Sequence, residues 1–219
     1  MTLPDVVTRE DWLESRERLL GLEKEDTRRR DALNAERRRL PMVRIEKQYL
    51  LTGPEGEVPL VGLFEDSRQL IILHVMFAPD WDAGCPGCTA GVDEISDGLL
   101  RHLRSRDTAF ALVSRAPMDK LRKYQAERDW TVPWYSSYGG DFNDDFEATV
   151  DNDERSGVSC FLRAGGEVFH TYSTWARGTD VLGSAYSWLD LTAFGRQENW
   201  EVPAGRAPRL HGADPTFTG

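Results

Sequence analysis

The sequence predicts an α/β fold, a central mixed sheet flanked by helices, with an N-terminal helical extension. Three observations carry this. "QLIILHVMF" and "TAFALVSR" are continuously apolar, as strands buried on both faces are. "AGVDEISDGLLRHLRSRD" and "APMDKLRKYQAERDW" follow them with helical apolar spacing, which gives the β, α, β, α order of parallel strands. Residues 8–40 read as one long, densely charged helix.

Taken in order, that helix opens at "TRED", with Thr8 as N-cap and Asp11 three residues on. Pro41 stops it, and Gly21 is a point where it kinks or divides. The triplets Arg28–Arg30 and Arg37–Arg39 sit among Glu and Asp, so a solvated face outweighs a nucleic-acid arm. Its apolar residues need a surface to cover, either the main domain or a second copy, so a homodimer through the arm is expected. "VRIEKQYLLTG" and "VPLVGLF" flank the turn "GPEGE" and predict a hairpin. "TVPWYSS" reads as a short strand, and "VSCFLRAGGEVFHTYST" as two strands joined by a Gly-rich turn. "GTDVLGSAYSWLDLTAF" closes the domain as a helix, and the Pro- and Gly-rich tail is irregular. The division is 1–41 arm, 42–195 domain and 196–219 tail.

Composition narrows the function. The chain has 219 residues and a formal net charge of -10, which argues against nucleic-acid and anionic-membrane partners. No apolar run approaches the ~20 residues of a membrane span. The first residues lack a basic segment followed by an apolar one, so no signal peptide is expected and a cytoplasmic, reducing setting is. Three cysteines, Cys85, Cys88 and Cys160, are too few for a disulfide scaffold. In a reducing compartment, the Cys85-x-x-Cys88 pair points to redox catalysis or metal binding.

The pair lies where a buried strand turns into a helix. There the first Cys faces unsatisfied N–H groups that stabilise a thiolate. The second, one turn on, resolves a mixed disulfide. With the later hairpin and terminal helix, the order is that of a thioredoxin-like fold. The segments "FAPDWDAGCPGC", "SRAP", "WYSSYGGDFNDDF" and "HTYSTWARG" resemble a bacterial thioredoxin-like family catalogued as a domain of unknown function. The resemblance runs from about Thr8 to Phe194 and implies a thioredoxin-like core with an N-terminal helical extension.

Relative to ordinary thioredoxins, Pro86-Gly87 is reversed and Trp81 stands four residues before Cys85. "SGVSCFLR" has no proline where thioredoxins place a cis-proline against the dithiol; Val158 or Ser159 is expected there. Asp80 and Asp82 raise the Cys85 pKa if they lie close.

Other candidates each have a structural alternative. His170, in "EVFHTYST", is a metal ligand or acid/base partner for the cysteines, or a hydrogen-bonded strand residue. His74 is expected to be a satisfied core histidine. Arg115, between a strand end and a helix start, is placed to hold an anion or to form a structural ion pair. Trp134, Tyr135 and Tyr172, with Trp81, are the expected substrate contacts. Asp141, Asn143, Asp144 and Asp145 lack the spacing of a calcium loop. Cys160 reads as a small buried side chain. The leading function is a thiol–disulfide oxidoreductase acting on a small or specific thiol or disulfide substrate, with no cofactor required. The alternatives are a copper-binding protein using Cys85, Cys88 and His170, and a non-enzymatic scaffold.

Overall fold

A computed structural model describes residues 3–203; residues 204–219 of the expected tail lie outside the described part. The charged N-terminal segment forms one helix, α1, Arg9–Arg37. Thr8 caps it: its Oγ1 accepts from the Asp11 N–H at 3.1 Å and donates to the Asp11 carboxylate at 2.6 Å. Arg18 with Glu14 and Arg30 with Asp26 make i,i+4 pairs along it. The helix continues unbroken through Gly21 and buries none of its residues. The expected packing of the arm on the main domain is therefore not seen. Its apolar residues, Trp12, Leu13, Leu20 and Leu33 among them, stay exposed because they are scattered round the axis rather than gathered in a stripe. One residue near its end does meet the domain: the Arg37 guanidinium lies over the Tyr172 ring, 5.5 Å from its centroid.

The strands are β1 (Val43–Arg44), β2 (Leu50–Gly53), β3 (Gly56–Pro59), β4 (Gln69–His74), β5 (Thr108–Ser114), β6 (Trp134–Ser136), β7 (Thr149–Val150), β8 (Asp153–Glu154), β9 (Gly157–Ala164) and β10 (Glu167–Trp175). All but β7 and β8 share one sheet, ordered β1-β10-β9-β4-β5-β6-β2-β3. The strands β4, β5 and β6 run parallel, while β9 is antiparallel to β4 and β10 to β9. The block β10-β9-β4-β5 is the thioredoxin-like core, and the chain has that fold. Gly165 and Gly166, at φ 60° and 83°, turn the β9–β10 hairpin where other residues would be strained.

Four elements differ from the sequence reading. "VRIEKQYLLTG" is two strands, β1 paired with β10 and β2 with β3, with residues 45–49 between them outside any strand. "VPLVGLF" is a strand only to Pro59; Leu60–Phe64 is a 3₁₀ turn, because Leu60, Leu63 and Phe64 bury together at helical spacing. The helix expected over 90–107 is two, α2 (Pro86–Asp93) and α3 (Asp97–Arg104), divided where Ser96 caps α3 by accepting from the Leu99 N–H at 3.2 Å. The closing helix is a 3₁₀ stretch, Ala176–Leu182, and a short helix, Ser184–Leu189, divided by Gly183. Two more helices complete the fold, α4 (Met118–Glu127) and α5 (Phe142–Asp145), so the closing short helix is α6.

The sheet separates two cores. Leu70 and Ile72 of β4 face one side, with Phe142, Phe146 and Phe161. Leu73 and, just past the strand, Val75 belong to the other, with Cys88, Leu121 and Trp134 beneath α2 and α4. This period-2 alternation makes the two sides of the molecule chemically different.

Candidate functional site

The site is built at the end of β4. Beyond His74 the chain stays on the sheet for one more hydrogen bond, from Val75 N–H to the Val113 carbonyl at 3.0 Å. The backbone of the next residue, Met76, meets both cysteines. Cys85 N–H donates to the Met76 carbonyl at 2.9 Å, and Met76 N–H lies 3.5 Å from the Cys88 Sγ it donates to. Cys85 is the N-cap of α2 and Pro86 its first residue, where a missing N–H costs nothing. The intervening loop is pinned by Lys120, whose Nζ donates to the carbonyls of Pro79 and Trp81 at 2.8 Å each. Asp80 and Asp82 are exposed in that loop.

Cys85 is partly exposed and Cys88 only 8% exposed. The two side chains hydrogen-bond to each other. That bond and burial push the Cys88 thiol far above its ordinary range, while hydrogen bonds from Ser156 and the Met76 N–H pull the other way. Cys88 thus keeps its proton beside the more accessible sulfur of Cys85. No disulfide joins the described cysteines.

The residue opposite the dithiol is Ser156, not Val158 or Ser159. The register pairs His74 with Gly157, so Ser156 lies just beyond the end of β4, level with the cysteine loop. Val158 lines the cavity described below, and Ser159 points through the sheet to His74. Gly157 is fixed by space: a Cβ there would sit 2.0 Å from a Trp175 ring carbon.

The expected contacts divide by position. Trp81 is 37% exposed on the loop rim. Trp134 is fully buried, its Nε1 donating to Ser114 Oγ at 3.0 Å, so it supports the site from beneath and offers no surface to a substrate. Tyr135, the next residue along the strand, packs on the opposite core. Tyr172 faces the same side of the sheet as Cys88. Arg115 makes the structural ion pair: its Nε donates to Glu154 Oε1 at 2.6 Å. Burial raises the Glu154 carboxyl pKa and Arg115 opposes the shift. The acids of "DFNDD" are held by Lys47, which bridges Asp141 at 2.7 Å and Asp145 at 2.6 Å. Lys47 and Tyr49 keep Asp145 below its ordinary pKa.

His170 is not with the cysteines. Its ring sits between Phe146 and Phe161, on the opposite sheet face, with Nε2 2.8 Å from Ser173 Oγ. Ser173 bonds Ser159 at 2.7 Å, and Ser159 bonds His74 Nε2 at 2.8 Å. A hydrogen-bonded row therefore crosses that core from His170 to His74. Among the described residues no group of three or more His, Cys, Asp or Glu is placed to hold a metal ion. The set Cys85, Cys88 and His170 is thus divided by the sheet.

A feature absent from the sequence reading is a largely apolar cavity of about 420 Å³ beside Cys88. Leu73, Ile95, Leu99 and Phe110 contribute to its wall, and Ser156 and Cys160 also reach it. The i,i+4 spacing of Ile95 and Leu99 marked an apolar face without showing that it is left partly uncovered. Among the described residues no helix is long and apolar enough to cross a membrane.

The fold is similar to several solved structures. Peroxiredoxin Q of Xanthomonas campestris has 17% identity and a TM-score of 0.43, covering 62% of this chain and 87% of that one. A PrxQ variant of Xylella fastidiosa has 11% identity and a TM-score of 0.45, covering 65% and 91%. A secreted disulfide oxidoreductase of Mycobacterium tuberculosis has 14% identity and a TM-score of 0.38, covering 62% and 91%. No curated protein sequence matches the chain. A family model described as "Bacterial protein of unknown function (DUF899)" matches residues 1–211, and the chain belongs to that family.

Proposed function

We propose that the protein is a thiol–disulfide oxidoreductase of the reducing cytoplasm, acting on a small or specific disulfide. The observation that carries this reading is the asymmetry of the dithiol: a partly exposed Cys85 at the N-terminus of α2, hydrogen-bonded to a buried Cys88 that retains its proton. Cys85, as thiolate, attacks one sulfur of the substrate disulfide, forming a mixed disulfide and releasing the other half as thiolate. Cys88 then gives up its proton, attacks the Cys85 sulfur and releases the second half. The substrate gains two electrons and the protein becomes the Cys85–Cys88 disulfide, which a small thiol donor reduces again. Trp81 on the loop rim is the substrate contact nearest in sequence, and Ser156 steadies the Cys88 sulfur. The chemistry needs no cofactor.

The test is trapping. Cys88→Ser protein treated with a small aromatic disulfide should hold one half as a stable adduct on Cys85, seen by intact mass. Cys85→Ser protein should hold none at Cys88. An adduct in neither variant rules out the mechanism.

A further inference from the structure

We propose that the cavity beside Cys88 is a binding site for an aliphatic carboxylate, with the carboxylate on Arg37 and the alkyl tail running along the sheet toward Ser156. The site goes beyond the dithiol chemistry and does not depend on it. Its volume, about 420 Å³, lies in the range of small-molecule sites, and most of its wall is apolar. Such a surface, left uncovered, favours an apolar occupant.

The charges at its edge select the head group. Three charged residues that line it, Arg37, Glu94 and Asp180, are in different states. Asp180 is neutralised by Arg196 at 2.9 Å and Arg177 at 3.2 Å. Glu94 accepts from the Ser184 hydroxyl at 2.7 Å and the Ala185 N–H at 3.1 Å, closing the start of α6. Arg37 has only an Asn34 side-chain oxygen, at 2.6 Å, and the face of Tyr172; no carboxylate of the described residues pairs with it. A guanidinium with donors to spare is suited to a bidentate carboxylate. The geometry sets the length. Tyr172 pairs with Cys160, four residues along β9 from Ser156, which is about 13 Å at the usual strand rise. The head at Arg37 and the end of the cavity at Ser156 and Cys88 are therefore a medium alkyl chain apart.

Titration calorimetry on the full chain tests this with decanoate, decyltrimethylammonium and butyrate. Decanoate should bind, the cationic amphiphile and butyrate at least ten-fold more weakly. Arg37→Gln should weaken decanoate about ten-fold or more. Cys160→Phe, which fills the middle of the cavity, should abolish binding. Cys85→Ser should bind decanoate like the wild type, so failure here and failure of the dithiol reading are seen separately. Should Arg37→Gln prove misfolded by circular dichroism, the head-group comparison in the wild type decides alone. No decanoate binding, undiminished binding by folded Arg37→Gln, or equal binding of the cationic amphiphile overturns the proposal.

Discussion

The two faces of the sheet are made from alternate residues of the same strands, yet they differ in kind. One face is closed. Leu70, Ile72 and Phe161 pack against Phe142 and Phe146, and its polar groups, His74, Ser159, Ser173 and His170, are linked in one hydrogen-bonded row. The other face carries Cys88 and is left partly open, because α3 and the short elements after Trp175 do not fully cover Leu73 and Phe110. Both faces hold a packed core, but only the second also carries the cysteine pair, with a cavity beside Cys88. On the closed side His74 is satisfied at Nε2 by Ser159, while its buried Nδ1 has no partner among the described residues. The Cys88 thiol on the open side is buried in its own core and borders a cavity.

The largest difference between the two faces should appear on substituting a leucine in each. Leu70 is 0% exposed in the closed core, and Leu70→Ala should cost about 2–5 kcal/mol. Leu99 is 41% exposed on the cavity wall, and Leu99→Ala should cost no more than about 0.5–1 kcal/mol. Urea midpoints compare them, and equal costs would show that the cavity is in fact packed shut.

The next effect is of pH. Burial, with the nearby His170, lowers the His74 pKa from 6.5 to about 3. Between those values the unfolded chain binds a proton that the folded protein refuses. Stability should therefore fall as pH drops below about 6.5, by up to ~1.4 kcal/mol per pH unit from this one group. His74→Gln should remove that part of the slope while keeping a partner for Ser159. Unfolding curves at pH 7, 6 and 5 in both proteins measure the difference; parallel slopes would mean that the closed face admits the proton.

A smaller effect distinguishes the two sulfurs. Iodoacetamide should modify Cys85 about ten-fold or more faster than Cys88 at neutral pH, since burial and the Cys85 contact hold the proton on Cys88. Peptide mapping of a time course reads this, and comparable rates would remove the asymmetry between nucleophile and resolving thiol.

The legible parts of the molecule were those encoded locally. "QLIILHVMF" followed by "CPGC" marks a strand turning into a helix because apolar continuity and Pro at the first helical position are both short-range signals. Thr8 was legible for the same reason. What depended on register or on distant partners was not. Ser156 rather than Val158 faces the dithiol because β9 pairs His74 with Gly157, a fact of alignment between strands 83 residues apart in numbering. Trp134 and Tyr135 both looked available, but period-2 alternation sends one into each core. Arg115 at a helix start resembled an anion site until Glu154, from the small β7–β8 ribbon, reached it. Of the two readings open for His170, the hydrogen-bonded strand residue is the one seen, across the sheet from the cysteines.

The central claim is that Cys85 and Cys88 act as one two-electron centre on the open face. Equilibrating the wild-type protein with glutathione buffers of graded potential, then quenching with acid and measuring intact mass and peptide map, tests it most directly. The account predicts a single reversible transition in which an intramolecular Cys85–Cys88 disulfide forms while Cys160 stays reduced. A protein that forms no such disulfide even in the most oxidising buffer, or that oxidises only through bonds between chains, would contradict it.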